Sequence, residues 1–102
     1  MIIYINYSGK DDIIKSCNDF YKLNSNKNIT DNIIKKNLYS KNIPDPDVLI
    51  RTGGYQRISD FMLYQISFTE LMFSKKLWPD FSNSDVDKLI DKFYKIERKF
   101  GL

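Results

Sequence analysis

Residues 46–59 read PDVLIRTGGYQRIS, in which a short apolar run leads into a glycine-rich loop with two arginines. Prolines at positions 44 and 46 break the preceding chain, and the aliphatic residues 48–50 are typical of a short buried strand. This strand ends on Arg51. Ligands of open parallel sheets bind beyond the carboxyl ends of the strands, so the sequence predicts a binding site at Arg51 and the loop that follows it.

The chain has 16 basic residues, of which thirteen are lysines and only three are arginines. Two of the three arginines, Arg51 and Arg57, lie in this loop. A planar guanidinium grips a phosphate or a carboxylate through two parallel hydrogen bonds, which an ammonium cannot do. Gly53 and Gly54 allow the backbone to approach a ligand and to aim N–H groups at it, and Ser59 adds a hydroxyl at the start of a predicted helix. The pattern favours phosphate or diphosphate binding over the alternative, a tight turn with two surface arginines.

The chain before the loop predicts a strand and two helices. Residues 2–7 form a nearly continuous β-branched and aromatic run, typical of a strand buried on both faces, and we interpret its position at the very start as an interior cut of a longer fold. A helix follows from Asp11. Its buried stripe consists of four residues at helical spacing: Ile13, Cys17, Phe20 and Tyr21. A short second helix is capped by Thr30 and runs through Leu38. The order strand, helix, strand predicts an α/β fold with part of a parallel β-sheet flanked by helices.

The chain after the loop predicts two further helices. Residues 59–66 are expected to be helical with Ser59 as the cap, while residues 68–73 fit a helix or a strand equally well. The clearest helix starts at the capping pair Ser82 and Asp85. Three residues mark its predicted end: Arg98, Lys99 and Gly101. No repeat or linker divides the sequence, so residues 1–102 are expected to be one portion of a single domain.

Composition narrows the chemistry that the chain can perform. There is no histidine and one cysteine, Cys17, which excludes histidine-based triads, an intramolecular disulfide and most zinc sites. No signal peptide or membrane-length apolar run is present, so we expect a cytoplasmic protein with at most peripheral contact at the inner membrane face. The net charge of +3 is spread along the chain and most aromatic residues fall at core spacing, which argues against nucleic-acid binding.

Glu70 is an acidic residue in the largely apolar stretch 61–73. One interpretation is an ordinary half-exposed carboxylate. Because Mg²⁺ takes one or two carboxylates together with substrate phosphates, Glu70 near a diphosphate loop is also a candidate magnesium ligand. The residues alone leave both alternatives open.

Several segments together resemble the signature of the cis-prenyltransferases, the family of undecaprenyl-diphosphate synthase and other isoprenyl transferases. The central match is PDVLIRTGG at residues 46–54 with QRIS at residues 56–59. Other matching segments are NYSGK at 6–10, FMLYQI at 61–66, TEL at 69–71, LWPDF at 77–81 and ERKFG at 97–101. The resemblance covers nearly the whole chain and implies the C-terminal portion of the cis-prenyltransferase fold.

The resemblance also implies roles for individual residues. In the family, two arginines and a serine hold the diphosphate of isopentenyl diphosphate, so Arg51, Arg57 and Ser59, with Ile58 between them, are predicted to bind that group. Glu70 is predicted to bind Mg²⁺. The implied reaction joins isopentenyl diphosphate to an allylic diphosphate, such as farnesyl diphosphate, with cis geometry.

The sequence departs from the family at three positions and over one large region. Tyr55 stands where an acidic residue is common, Ser8 replaces a glycine, and Lys99 replaces an arginine that relatives extend towards a dimer partner. The N-terminal half of the family fold, which holds an Asp-Gly-Asn-Gly-Arg loop and the catalytic aspartate, has no counterpart in the 102 residues. We therefore expect no catalytic residue here, no activity from the chain alone, and a homodimer or association with a chain that supplies that half. The alternative is a noncatalytic subunit or an inert remnant of a split gene.

Overall fold

The computed structural model describes residues 1–24 and 26–101. The elements are α1 (Gly9–Leu23), α2 (Asp31–Asn37), β1 (Val48–Arg51), β2 (Glu70–Phe73), a 3-10 helix (Trp78–Asp80) and α3 (Asn83–Tyr94). The chain forms two compact units, one of Met1–Asp45 with Ser59–Tyr64 and one of Pro46–Ile58 with Gln65–Leu102. In the described residues no helix has both the length and the apolar character needed to cross a membrane. The predicted loop at 24–28 includes residue 25, which lies outside the described residues.

A parallel pair of strands, β1 and β2, forms the sheet and confirms the predicted α/β class. Val48 stands opposite Glu70, and Arg51 stands opposite Phe73. The stretch 68–73, which fits a helix or a strand equally well in sequence, is therefore a strand over Glu70–Phe73. Met72 in this strand is buried, at 5% exposure. The expectation that residues 2–7 would be one strand of a strand–helix–strand unit is wrong, because β1 pairs with β2 instead.

Residues 2–7 form no strand in the structure. Ile2, Ile3 and Ile5 are 61%, 68% and 84% exposed, so the apolar run is not buried on either face. A strand needs the N–H and C=O groups of a neighbour, and neither described strand pairs with this segment. The chain bends at residues 5–6, where Asn6 has φ 50°, and high β propensity without a partner strand leaves the run outside any sheet.

Helix α1 is confirmed, but its buried face differs from the predicted apolar stripe. Phe20 is buried as predicted, but Tyr21 is 46% exposed, whereas Asp12 and Ser16 are completely buried. The carboxylate of Asp12 accepts hydrogen bonds from the Tyr39 N–H at 3.0 Å and the Tyr7 hydroxyl at 2.8 Å. The Ser16 hydroxyl donates to the carbonyl oxygen of Ile34 in α2 at 2.8 Å. Polar groups with partners replace hydrophobic packing at the centre of this face.

The N-terminus of α1 is bound to Asp60, which explains why the predicted helix at 59–66 does not form. The Asp60 carboxylate accepts from the Ser8 hydroxyl at 2.6 Å and from the Lys10 N–H at 3.1 Å, and its carbonyl oxygen accepts from the Gly9 N–H at 2.7 Å. Asp60 has φ 63°, and two neighbours, Ser59 and Met62, have φ 48°. These left-handed conformations cannot propagate a right-handed helix.

Helices α2 and α3 begin as predicted. Thr30 accepts from the Ile33 N–H at 3.4 Å, and α2 ends one residue before Leu38, which is 2% exposed. Ser82 and Asp85 form the expected capping box at the start of α3. The predicted end of this helix is wrong, because it stops at Tyr94, before Arg98, Lys99 and Gly101. The final residues instead run back towards the sheet, where Arg98 is held.

Candidate diphosphate-binding loop

Arg51 lies at the carboxyl end of β1, where the sequence places the candidate site. Its carbonyl oxygen accepts from the Ser74 N–H at 2.8 Å, which continues the contact between the strands past the end of β2. Its guanidinium donates a hydrogen bond to the backbone carbonyl oxygen of Arg57. This contact closes the loop between the two arginines and brings Arg57 back to the end of the strand.

Gly53 and Gly54 shape the loop through their backbone conformation. Their φ values are 93° and 84°, which favour glycine, and a Cβ at either position would meet no other atom within 4 Å. Their N–H groups donate to the carbonyl oxygens of Lys76 at 2.8 Å and Ser74 at 3.0 Å. The expectation that these two N–H groups point at a ligand is therefore wrong. The arginine side chains are the loop's candidate anion donors.

Tyr55 lies beside both arginines. Its ring centroid is 4.4 Å from the guanidinium carbon of Arg57 and 5.5 Å from that of Arg51. Both distances are within the range of a cation–π interaction. Arg57 is exposed and, within the part of the chain that the structure describes, forms no ion pair, so its N–H groups remain available to an anion.

Ile58 and Ser59 follow the arginines but fall in different compact units. Ile58 is half-buried and ends the loop segment of the second unit, and Ser59 is the first residue of the segment that belongs to the first. Ser59 is not a helix cap, since the backbone turns at φ 48° there. The structure thus brings Arg51 and Arg57 together, and the roles of Ile58 and Ser59 stay predictions.

Glu70 lies at the other end of the sheet from the arginine loop. It is the first residue of β2 and stands opposite Val48, three positions before the pair that contains Arg51. Three residues of parallel strand span about 10 Å, so the register separates Glu70 from the loop. No group of three or more His, Cys, Asp or Glu residues near enough to share a metal ion occurs within residues 1–24 and 26–101. A single carboxylate is still compatible with Mg²⁺, which draws further oxygens from phosphate.

A small cavity of about 230 Å³ lies beside Glu70, lined also by Thr69, Arg98 and Lys99. Arg98 donates from Nη1 to the Asp47 carboxylate at 2.6 Å and from Nη2 to the Phe68 carbonyl oxygen at 3.0 Å. Its Nε is buried without a hydrogen-bond partner. The sequence marks Arg98 as the predicted end of a helix and as part of the matching segment 97–101, and Tyr55 as a departure from the family pattern, without indicating these contacts. The scarcity of arginine in the chain was the signal that could have marked Arg98.

Comparison with known proteins places this architecture, a parallel sheet with an arginine loop at a strand end, among prenyltransferases. The family profile described as "Putative undecaprenyl diphosphate synthase" matches residues 1–101. The chain therefore belongs to the undecaprenyl diphosphate synthase family.

Among its relatives, the isoprenyl transferase of Rickettsia typhi is 39% identical over 101 residues, which cover 99% of this chain and 44% of that protein. The isoprenyl transferase of Aquifex pyrophilus is 42% identical over 97 residues, or 95% of this chain and 42% of that protein. The chain thus spans less than half the length of these curated relatives.

Two solved structures are similar over 96% of this chain. Lavandulyl diphosphate synthase from Lavandula x intermedia, solved with dimethylallyl diphosphate, has a TM-score of 0.88 and 32% identity, and 44% of its chain is covered. A probable undecaprenyl diphosphate synthase from Campylobacter jejuni has a TM-score of 0.82 and 28% identity, with 45% covered.

Proposed function

We propose that this chain binds the diphosphate of isopentenyl diphosphate as one part of a cis-prenyltransferase that condenses it with an allylic diphosphate, such as farnesyl diphosphate. The observation that carries this proposal is the convergence of Arg51 and Arg57 on Tyr55 at the end of β1. Two guanidiniums in one loop offer the planar, doubly hydrogen-bonding cations that suit a diphosphate. The dimethylallyl diphosphate in the similar lavandulyl diphosphate synthase supports a substrate of this class.

The task of the loop in this proposal is binding and orientation. Arg57 is exposed and meets the ligand directly, while Arg51 uses one donor to hold the backbone of Arg57. Ile58 and Ser59 complete the diphosphate contacts. Bond formation needs groups outside this set, so the chain alone is expected to elongate no farnesyl diphosphate when it is supplied with labelled isopentenyl diphosphate. Product formation by the purified chain would contradict this part of the proposal.

The binding test compares two charge-neutralising variants. Arg57→Gln should weaken the binding of isopentenyl diphosphate, measured by isothermal titration calorimetry, by roughly tenfold to a hundredfold, since it removes charged hydrogen bonds. Lys88→Gln removes the same charge from an exposed position in α3 and should change the affinity less than twofold, because salt screens an exposed charge that does not contact the ligand. Equal losses in the two variants would reduce the effect to net charge and overturn the assignment of the loop.

Magnesium binding by Glu70 is a separate part of the proposal and is supported by the resemblance of the segment around it. When bound, Mg²⁺ would neutralise diphosphate charge. Glu70→Gln should abolish the effect of Mn²⁺, used as a paramagnetic probe, on the backbone NMR signals of residues near Glu70 in the presence of inorganic pyrophosphate. Glu97→Gln, at the only other glutamate and an exposed one, is the matched control. Unchanged broadening in Glu70→Gln would remove Glu70 from the metal site.

We also propose that the chain works in the cytoplasm as a homodimer or together with a polypeptide that supplies the N-terminal half of the fold. Light scattering after size exclusion separates the first possibility from a monomer. Mixing with a candidate N-terminal chain and assaying farnesyl diphosphate elongation tests the second. A chain that stays monomeric and that no such partner activates would favour an inert remnant.

A further inference from the structure

The position of Tyr55 in the loop needs an explanation that hydrophobic burial does not give. The residue is 54% exposed, so it is not part of the buried core. Among the described residues no other aromatic ring pairs with it, and the guanidiniums of Arg51 and Arg57 lie within cation–π distance of its ring. The two cations are therefore the contacts that could explain its position.

Two guanidiniums close together repel each other, and each is carried by a flexible side chain that must be ordered before it can grip a diphosphate. An aromatic face carries partial negative charge and attracts a cation without neutralising it. A carboxylate in the same place would neutralise part of the guanidinium charge. The Tyr55 ring instead offsets part of the repulsion and does not neutralise either arginine.

We propose that Tyr55 is a positioning residue that orders Arg51 and Arg57 for a diphosphate through its ring face. This inference rests on the proposed function, since it concerns the same loop. A hydrogen bond to the backbone orients the Arg51 guanidinium, which donates to the Arg57 carbonyl oxygen. The Arg57 guanidinium, in contrast, forms no ion pair with a described residue. The ring contact at 4.4 Å is what orients Arg57.

The test measures binding of inorganic pyrophosphate to the full chain by calorimetry. Tyr55→Phe keeps the ring face and should retain the wild-type affinity within about twofold. Tyr55→Leu removes the ring and should weaken binding by roughly threefold to tenfold, as expected from the loss of two exposed cation–π contacts. Tyr94→Leu, at a 78% exposed tyrosine in α3, is the control and should bind like the wild type.

A second measurement reports the order of the arginines without any ligand. Protons on the Cδ atoms of Arg51 and Arg57 should show upfield NMR shifts from the ring in the wild type and in Tyr55→Phe, and lose them in Tyr55→Leu. Circular dichroism checks that each variant is folded, and Tyr55→Met serves as a second ring-free variant if Tyr55→Leu is not.

The outcomes separate this inference from the proposed function. If the wild type fails to bind pyrophosphate, the proposed function and the inference fall together. If the wild type binds and the folded ring-free variant binds equally well, the inference is wrong while the function stands. If Tyr55→Phe loses as much affinity as Tyr55→Leu, the hydroxyl rather than the ring face contributes, which also overturns the inference.

Discussion

Arg98 donates a hydrogen bond from Nη1 to the carboxylate of Asp47 at 2.6 Å, a contact between residues 51 positions apart in the chain. The same guanidinium reaches the Phe68 carbonyl oxygen at 3.0 Å, and the Phe100 ring lies 4.5 Å from its central carbon. One side chain thus joins the C-terminal segment to the residues that precede β1 and β2.

Substitution of Arg98 should destabilise the protein more than substitution of Asp47. We expect Arg98→Met to lower the free energy of unfolding by about 1–3 kcal/mol, because it removes two hydrogen bonds and the cation–π contacts with Phe93 and Phe100. Asp47→Asn should cost about 0.2–1 kcal/mol, since the Asp47 side chain is 73% exposed and the ion pair is screened. Urea unfolding followed by circular dichroism measures both changes. The loss of stability in Arg98→Lys should lie between the losses in Arg98→Met and Asp47→Asn. If both Arg98 variants lose only as much stability as Asp47→Asn, the Phe68 contact contributes nothing.

Replacement of Gly9 by alanine should destabilise the first compact unit through steric overlap. A Cβ on Gly9 would lie 2.8 Å from the carbonyl oxygen of Asp60 and 2.8 Å from Cγ of Leu63. Overpacking of this kind costs about 1–3 kcal/mol. Lys10→Ala, at the next and exposed position of α1, is the control and should change stability by less than about 0.5 kcal/mol. Thermal unfolding of the two variants in parallel gives the comparison, and equal midpoints would refute the close approach of the Asp60 segment.

Alkaline pH should weaken the contact between Tyr64 and Asp31. The Tyr64 hydroxyl donates to the Asp31 carboxylate at 2.5 Å, and this hydrogen bond, with a smaller effect of burial, raises the pKa of Tyr64 from 10.0 to about 12. A raised tyrosine pKa means that the folded state favours the protonated ring. The contribution of this hydrogen bond to stability is complete below pH 10 and is lost as the pH rises towards about 12.

Absorbance titration of the tyrosines measures this shift. Tyr64→Phe should remove a late step near pH 12, and Asp31→Asn should move that step towards pH 10. Lys35→Met removes a cation 3.5 Å from Asp31 and keeps the hydrogen bond, so the late step should remain. A titration without any late step in the wild type would rule out the contact.

Acid should weaken the start of α3. Hydrogen bonds from the Lys76 ammonium at 2.8 and 2.9 Å, followed by those from Ser82, hold the pKa of Asp85 well below its usual value of 3.8. Because this pKa is depressed in the folded state, the stabilisation is present above pH 3.8 and is lost as the pH falls through the lower folded value.

The thermal midpoint between pH 2 and 6 reports this effect. Asp85→Asn should flatten the acid side of the profile, and Lys76→Met should shift its fall to higher pH, since it removes the largest cause of the depressed pKa. Asp87→Asn, an exposed position on the same helix, should leave the profile as in the wild type. An unchanged profile in Asp85→Asn would contradict the prediction.

Local signals in the sequence predicted the parts of the fold that local physics determines. Thr30, Ser82 and Asp85 cap their helices as expected, because a cap depends on residues within one turn of it. The strand that ends on Arg51 is also predicted correctly, since an aliphatic run next to a glycine pair has few other solutions, although its residues are half-buried rather than buried as expected. For the site, this was enough to find the two arginines that the loop brings together.

Contacts between distant residues account for what the sequence could not predict. The spacing of apolar residues after Ser59 is helical, but no helix forms there. Asp60 instead binds the N-terminus of α1, some 50 residues earlier in the chain, and adopts a left-handed conformation. The buried face of α1 was misassigned because Asp12 and Ser16 are polar and gain partners only in the fold. Tyr55 likewise shows its role only when the loop folds back and brings Arg57 beside Arg51.

The exposure of the isoleucines in residues 2–7 affects how the chain behaves in solution. An uncharged run of six residues that contains three isoleucines and two tyrosines, and that pairs with neither described strand, is the type of segment that seeds intermolecular β association. Molecules at high concentration should therefore pair through this run and precipitate, whereas a protein that covers it would keep the chain dispersed. The solubility of the chain becomes a reporter of whether its isoleucines are covered.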